Sequence, residues 1–223
     1  MNHKLIAVMV YGLTWLAIVG AVVLLAYVLW LRPWSLKWGA TDAEVKGPLP
    51  GDELVPNPQS ISTRAISIKA PAARVWPWLV QMGQGRGGFY SYDWLENIFG
   101  CDIHNADRII PEFQNLKMGD DILLHPKVPP LAVLIVAPNQ ALVIGAPQEA
   151  AELRMKGFPR VSWAFVLREV DSRNSRLIVR WRSAYPSGFL NSLANQYLLE
   201  PVHFTMERKT LLGIKVRAEQ EVR

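Results

Sequence analysis

The sequence predicts an α+β domain behind one N-terminal transmembrane helix. Three observations carry this. Leu5 to Leu31 is a run of 27 residues without a charge, broken only by Gly12, Thr14 and Gly20. Beyond it, short segments of alternating or continuous apolar residues follow one another between Gly, Pro and Asn, the pattern of antiparallel strands. The chain then closes on an apolar stripe at helical spacing. A curved antiparallel sheet cannot bury its concave face alone, and the long final helix is the element to cover it.

The N-terminal run is long enough, at ~1.5 Å per helical residue, to span a ~30 Å hydrocarbon core with some tilt. Trp30, Trp34 and Trp38 follow, with Arg32 and Lys37 among them, the pattern of an interfacial aromatic belt. A cleaved signal peptide would have an apolar region of only ~7–15 residues and a small-residue cleavage site. A buried core helix is the other alternative. The reading is a single-pass membrane anchor over residues 1–38. Lys4 flanks the run on one side, and Arg32, Lys37 and Lys46 on the other, so the positive-inside bias places the C-terminal domain in the cytoplasm.

The composition excludes several classes. With 223 residues, half of them hydrophobic, the chain is neither disordered nor long enough for two large domains. Its single cysteine excludes an internal disulfide and any multi-cysteine zinc site. The net charge of +5 is dispersed, with no run of five like charges and no basic motif interleaved with aromatics, so no nucleic-acid partner is expected.

Residues 39–60 read as a linker, because Gly47, Pro48, Pro50, Gly51, Pro56 and Pro58 forbid long regular elements. A domain over residues 61–220 follows. Ser62 to Lys69 alternates as a strand. Pro71 opens a helix with the stripe Val75, Trp76, Trp78, Leu79, Val80 and Met82, and Pro77 predicts a kink in it. The loop Gly83 to Gly88 ends that helix, and a second runs from about Tyr92 to Phe99, closed by Gly100. Strands are predicted at Asp121–His125, Leu131–Ala137, Ala141–Ile144, Val161–Val170 and Arg176–Tyr185. Val161, Trp163, Phe165 and Leu167 share one face, as do Leu177, Val179 and Trp181 on the partner strand. Leu190, Leu193, Ala194 and Tyr197 begin the final helical region. Pro201 is expected to interrupt it and start a longer helix, with Phe204, Leu211, Leu212 and Ile214 on its buried side. This is a helix-grip arrangement, in which a cavity commonly lies between sheet and helix.

The stretch Ala70-Pro71-Ala72-Ala73-Arg74-Val75-Trp76-Pro77-Trp78-Leu79, preceded by the strand Thr63–Ile68, resembles the opening of the START-like (SRPBCC) superfamily. Gly85 to Glu96, with its Tyr90-Ser91-Tyr92-Asp93-Trp94 block, together with Asp102 to Ile109 and Met206-Glu207-Arg208-Lys209, resembles a bacterial membrane-anchored subgroup. The likeness spans roughly residues 38 to 220. It implies a cavity for a hydrophobic ligand and leaves the reaction open, since members include both binding proteins and enzymes.

Several motifs bear on chemistry. Gly83-x-Gly85-x-x-Gly88 matches the dinucleotide fingerprint as text, but a helix precedes it and no βαβ unit follows, so it reads as a flexible turn and no cofactor is expected. Arg86 at its tip suits an anionic ligand group, or plain solvation. Tyr90 and Trp94, four apart, are expected on one helix face, and with Tyr92 they suit either a cavity wall or core packing. Asp93 reads as a cap of the second helix. Asp102, His104 and Asp107 are the nearest approach to a metal cluster, and no metal is assigned. Cys101 reads as unreactive. His203 and Glu207, four apart on the last helix, suit a ligand's polar end, an acid–base pair, or a surface pair.

The function expected is binding of a hydrophobic ligand, a lipid or polyketide-like molecule taken from the membrane. Tyr90, Tyr92, Trp94, Trp163 and Trp181 would wall the cavity, with Arg86, His203 and Glu207 as polar contacts. One alternative is a cyclase or dehydratase using His203, Glu207, Asp93 or His104 inside the cavity. The other is an interaction protein with a vestigial pocket, which a solid core would favour.

Overall fold

The structure, a computed structural model, describes residues 3–146 and 159–220. It divides into two compact units, Met1–Leu36 and Lys37–Arg223. In the first, helix α1 (His3–Ala26) passes through a π-helical turn (Tyr27–Leu31) into α2 (Arg32–Leu36). The Thr14 hydroxyl donates to the Val10 carbonyl at 2.8 Å, so its polar group is satisfied within the helix. Val8–Leu36 is long and apolar enough to cross a membrane. Val8, Tyr11, Leu16, Val23 and Trp30 are exposed, which sets this helix apart from a buried core helix.

The second unit holds a six-stranded sheet: β1 (Ser60–Ile68), β2 (Asp121–Ile122), β3 (Leu131–Ala137), β4 (Ala141–Ala146), β5 (Arg160–Asp171) and β6 (Asn174–Ala184). The strand order is β1-β6-β5-β4-β3-β2, and every neighbouring pair is antiparallel. The helices are α3 (Asp42–Lys46), α4 (Ala72–Val80), α5 (Asp93–Ile98), α6 (Phe189–Ala194) and α7 (Glu200–Glu219). This is the α+β helix-grip class that the residue pattern predicts.

The two-residue period divides the sheet's side chains between two cores. Phe165, Leu167, Leu177 and Val179 pack against Val75 and Leu79 of α4 and Leu211 and Ile214 of α7. On the opposite face, Ala65, Val143, Ala164, Val166 and Ile178 pack with Leu49 and Leu54. These last two belong to the Pro/Gly-rich stretch expected as a linker. It lies against the sheet as a strap, with α3 started by a capping box between Thr41 and Glu44. Arg176, Arg180 and Arg182 of β6 fasten it. Arg180 is buried and donates to Thr63, to Asp52 and to the carbonyls of Glu44, Val45 and Gly47. Arg176 bonds Glu44 at 2.8 and 2.9 Å, and Arg182 bonds the Val55 carbonyl. Trp38, expected in an interfacial belt, packs against the domain core with the Arg208 guanidinium 5.1 Å from its ring centre.

Three local expectations change. The strand predicted to reach His125 ends at Ile122, because the Leu123 carbonyl turns to accept from Gln84 and Pro126 has no N–H for the ladder. Pro201 lies in the first turn of the longer helix, as expected, but the winding continues through it without a break. The π turn Asn195–Leu199 contains Tyr197, four residues before the proline, and its wider winding makes room for the ring. Asp93 is the first residue of α5, one position past the N-cap, and its carboxylate accepts from the Trp94 amide at 2.8 Å.

Helix α7 approaches the 83–91 loop at Gly213, where an added Cβ would lie 2.3 Å from the Tyr90 carbonyl oxygen. Gly213→Ala is therefore expected to destabilise the domain by ~1–3 kcal/mol through overpacking, outweighing the ~1 kcal/mol that alanine adds to a helix interior. Thermal melting of the full chain followed by circular dichroism measures this. An unchanged or raised melting temperature would show that the helix and loop separate freely.

Candidate functional site

The register of β5 and β6 sets Trp163 directly opposite Trp181. Both point to the concave face, where their rings meet edge to face at 5.9 Å. From α7, the His203 ring lies 4.7 Å from Trp181 and 5.9 Å from Trp163. One helical turn on, Glu207 is fully buried. Its Oε1 accepts from the Trp163 indole N–H at 2.8 Å, and its Oε2 accepts from Arg64 of β1 at 2.5 Å. The Arg64 guanidinium also lies 5.2 Å from the centre of the Phe204 ring.

Above this cluster is a cavity of about 440 Å³. Trp163, Trp181, His203 and Glu207 line it with Phe89, Leu95, Glu96, Phe99, Cys101, Ile103, Leu124, Val202, Met206 and Thr210. Phe99 and Val202 are also exposed, which puts them at its mouth, and the neighbouring Ile98, Leu198 and Leu199 are exposed as well.

Two of the lining residues each hold a buried polar atom with no hydrogen-bond partner among the described residues: Glu96 Oε2 and His203 Nε2. His203 Nε2 lies 3.5 Å from Glu207 Oε1, outside hydrogen-bond geometry. Burial pushes the His203 imidazole down to about 4, the Arg64 charge adds to this and the Glu207 carboxylate opposes it. The 26% of its side chain that remains accessible borders the cavity, so the two tryptophan rings and the ion pair dominate its surroundings. Burial, with Asp93 nearby, pushes the Glu96 carboxyl up to about 7. Burial and Glu96 together raise the Cys101 thiol, which keeps it in the unreactive form.

The other expected site residues lie elsewhere. Arg86 folds back to donate to the carbonyls of Val80 and Phe113 and stacks on the Phe113 ring at 4.6 Å. Tyr90 precedes α5, has a φ of 58° and cannot share a helix face with Trp94. It is buried, its hydroxyl donates to the Trp78 carbonyl, and its backbone N–H donates to Asn105. Tyr92 packs edge to face on Trp94 and takes the Lys209 ammonium 5.6 Å from its ring centre. Trp94 is 62% exposed. Neither Tyr92, Trp94 nor Asp93 is part of the cavity lining. His104 is exposed and pairs with Asp102 at 3.1 Å. Asp107 turns away to pair with Arg217 at 2.7 Å, which separates the three groups of the candidate metal cluster. The glycine loop is a tight turn. Gly83 and Gly88 bridge each other, and a Cβ on Gly88 would lie 2.6 Å from Asn105 Oδ1.

Glu96 and Arg64 are the site residues that the motif reading missed. Arg64 has the parity of Ile66 and Ile68, so the two-residue period alone sends it to the concave face. Glu96 follows Leu95 and precedes Phe99, which are four apart and both line the cavity. That spacing was visible in the sequence.

No protein family's sequence pattern matches this chain, and no curated protein does. Solved structures of similar shape include a hypothetical protein from Helicobacter pylori (10% identity, 77% of this chain and 95% of that one, TM-score 0.46). A Zhui aromatase/cyclase from Streptomyces sp. R1128 is similar at 11% identity, covering 74% of this chain and 96% of its own, with TM-score 0.42. A conserved protein from Geobacillus kaustophilus is similar at 14% identity, covering 71% and 95%, with TM-score 0.42.

Proposed function

We propose that this chain is a single-pass membrane protein whose C-terminal domain, on the cytoplasmic side, binds a hydrophobic ligand, a lipid or polyketide-like molecule, in the cavity between β5, β6 and α7. The observation that carries the reading is the cavity itself. Its volume of about 440 Å³ falls within the ~300–1,000 Å³ of small-molecule sites. Its lining is apolar and aromatic with a few polar groups, as such sites are. Burial of ligand surface would drive binding at ~25 cal/mol per Å² before ordering costs. The apolar mouth and the apolar N-terminal helix support delivery from a bilayer. An interaction protein with a vestigial pocket called for a solid core, and an open cavity stands against it.

The cyclase or dehydratase alternative needs an acid and a base in the cavity. Of its four candidates, His203 and Glu207 line the wall, and both oxygens of Glu207 are already engaged.

The test is mass spectrometry of lipid extracts from the full chain and from Leu124→Trp, whose larger ring intrudes on the cavity and leaves the helix's lipid contacts alone. One small apolar species per chain is expected in the native protein and a reduced amount in the variant. Identical extracts from the two proteins would overturn the binding reading.

A further inference from the structure

We infer that the ligand of this cavity carries an uncharged oxygen group (a hydroxyl, phenol or carbonyl) and that Glu96 Oε2 and His203 Nε2 supply its hydrogen bonds. The inference rests on the binding reading above and narrows it to a chemical class.

Buried polar atoms are nearly always paired, and leaving one unpaired is costly. Here two such atoms belong to residues that line a single cavity, one on α5 and one on α7. Neither is the by-product of a local turn, because the two elements are far apart in sequence. A bound polar group would satisfy both. A carboxyl group, when protonated, donates and accepts, and a neutral imidazole nitrogen does one or the other according to tautomer. Hydroxyls, phenols and carbonyls all find a match in that set.

The charges that the described residues place around the cavity do not suit an ionised end. Among the described residues, the lining contains no Lys or Arg. Arg64 is committed to Glu207, and their charges cancel. Lys209 lies over Tyr92, Arg208 over Trp38, and Arg217 is paired with Asp107. Asp93 bonds the Trp94 amide at the start of α5. His203 is neutral above about 4 and Glu96 below about 7, so at pH 6 neither of these two side chains offers a charge to an anion or a cation. A phosphate or ammonium head would lose its hydration there without a counter-ion.

Equilibrium gel filtration of the full chain in detergent tests this at pH 6 with tritiated twelve-carbon probes: dodecanol, dodecane, dodecyl phosphate and dodecyltrimethylammonium. The Leu124→Trp variant subtracts uptake by the micelle. Dodecanol is expected to bind about tenfold more tightly than dodecane, the effect of one or two hydrogen bonds, and more tightly still than either ion. Glu96→Leu and His203→Phe are each expected to bring dodecanol down toward dodecane while leaving dodecane binding in place, which shows that the variant is folded. Glu96→Gln, which still donates and accepts, is expected to retain the preference. Dodecane binding as tightly as dodecanol, either ion binding as tightly, or a preference that survives both apolar substitutions would overturn the inference and leave the binding reading standing. Failure of every probe, dodecane included, would overturn both.

Discussion

Glu207→Gln is expected to lower the melting temperature of the full chain by roughly 10 °C, since removing one partner of a buried ion pair costs ~3–5 kcal/mol and a domain of this size loses ~2–4 °C per kcal/mol. The glutamine has nearly the shape of the glutamate and still accepts from the Trp163 indole, so packing and that hydrogen bond survive. What is lost is the negative charge facing Arg64, whose side chain is 1% exposed and has no water to turn to. Arg64→Met leaves the carboxylate stranded instead and is expected to cost a similar amount. The double variant Arg64→Met/Glu207→Leu removes both charges and should recover most of the loss, because well-packed apolar residues replace buried ion pairs at little cost. Calorimetry or circular dichroism of the native protein and the three variants measures these differences. A Glu207→Gln protein melting within 2 °C of the native one would show that solvent reaches the pair, contrary to the geometry.

Arg180→Met is expected to release the strap over residues 39–60. The variant strands the carbonyls of Glu44, Val45 and Gly47, which the guanidinium now satisfies, and takes one donor from Asp52, which keeps the Leu49 amide and Arg182. Each unsatisfied buried group costs ~1–3 kcal/mol, so a loss of at least ~3 kcal/mol is expected even where water rescues some of them. Hydrogen exchange reads this directly: amides of the strap should lose protection more than those of α7. Equal loss in both places would show that the strap is no separate unit. Acid should act on the same fastening. The Arg176 guanidinium beside Glu44 holds its carboxyl down at about 2, from an ordinary 4.5. The native state therefore binds fewer protons than the unfolded chain between those values. The stabilisation is complete above about 4.5 and is lost as the pH falls toward 2.

Much of this architecture was legible because periodicity is local. Val161, Trp163, Phe165 and Leu167 announce a strand with one apolar face, and Phe204, Leu211 and Ile214 a helix that buries one side. The strap was not legible. Its prolines and glycines forbid long elements, yet nothing in residues 39–60 shows that Leu49 and Leu54 meet a second sheet face. Arg180 likewise reads as a solvated residue on a polar side until its partners, more than a hundred residues away, are in place. The cavity divides the same way. Trp163, Trp181, His203 and Glu207 were visible as candidates. Tyr90 was misplaced because its positive φ removes it from the helix that its spacing with Trp94 suggested.

Composition and periodicity alone therefore establish an apolar N-terminal helix, an antiparallel sheet and a long closing helix, all set by the order of side chains along the backbone. Which side chains lose their water is a property of the folded chain, and so are the Arg64–Glu207 pair, the displaced proton affinities of His203 and Glu96, and the unpaired atoms in the cavity. Burial and long-range pairing produce them, and both exist only once β1, β5, β6, α5 and α7 have come together.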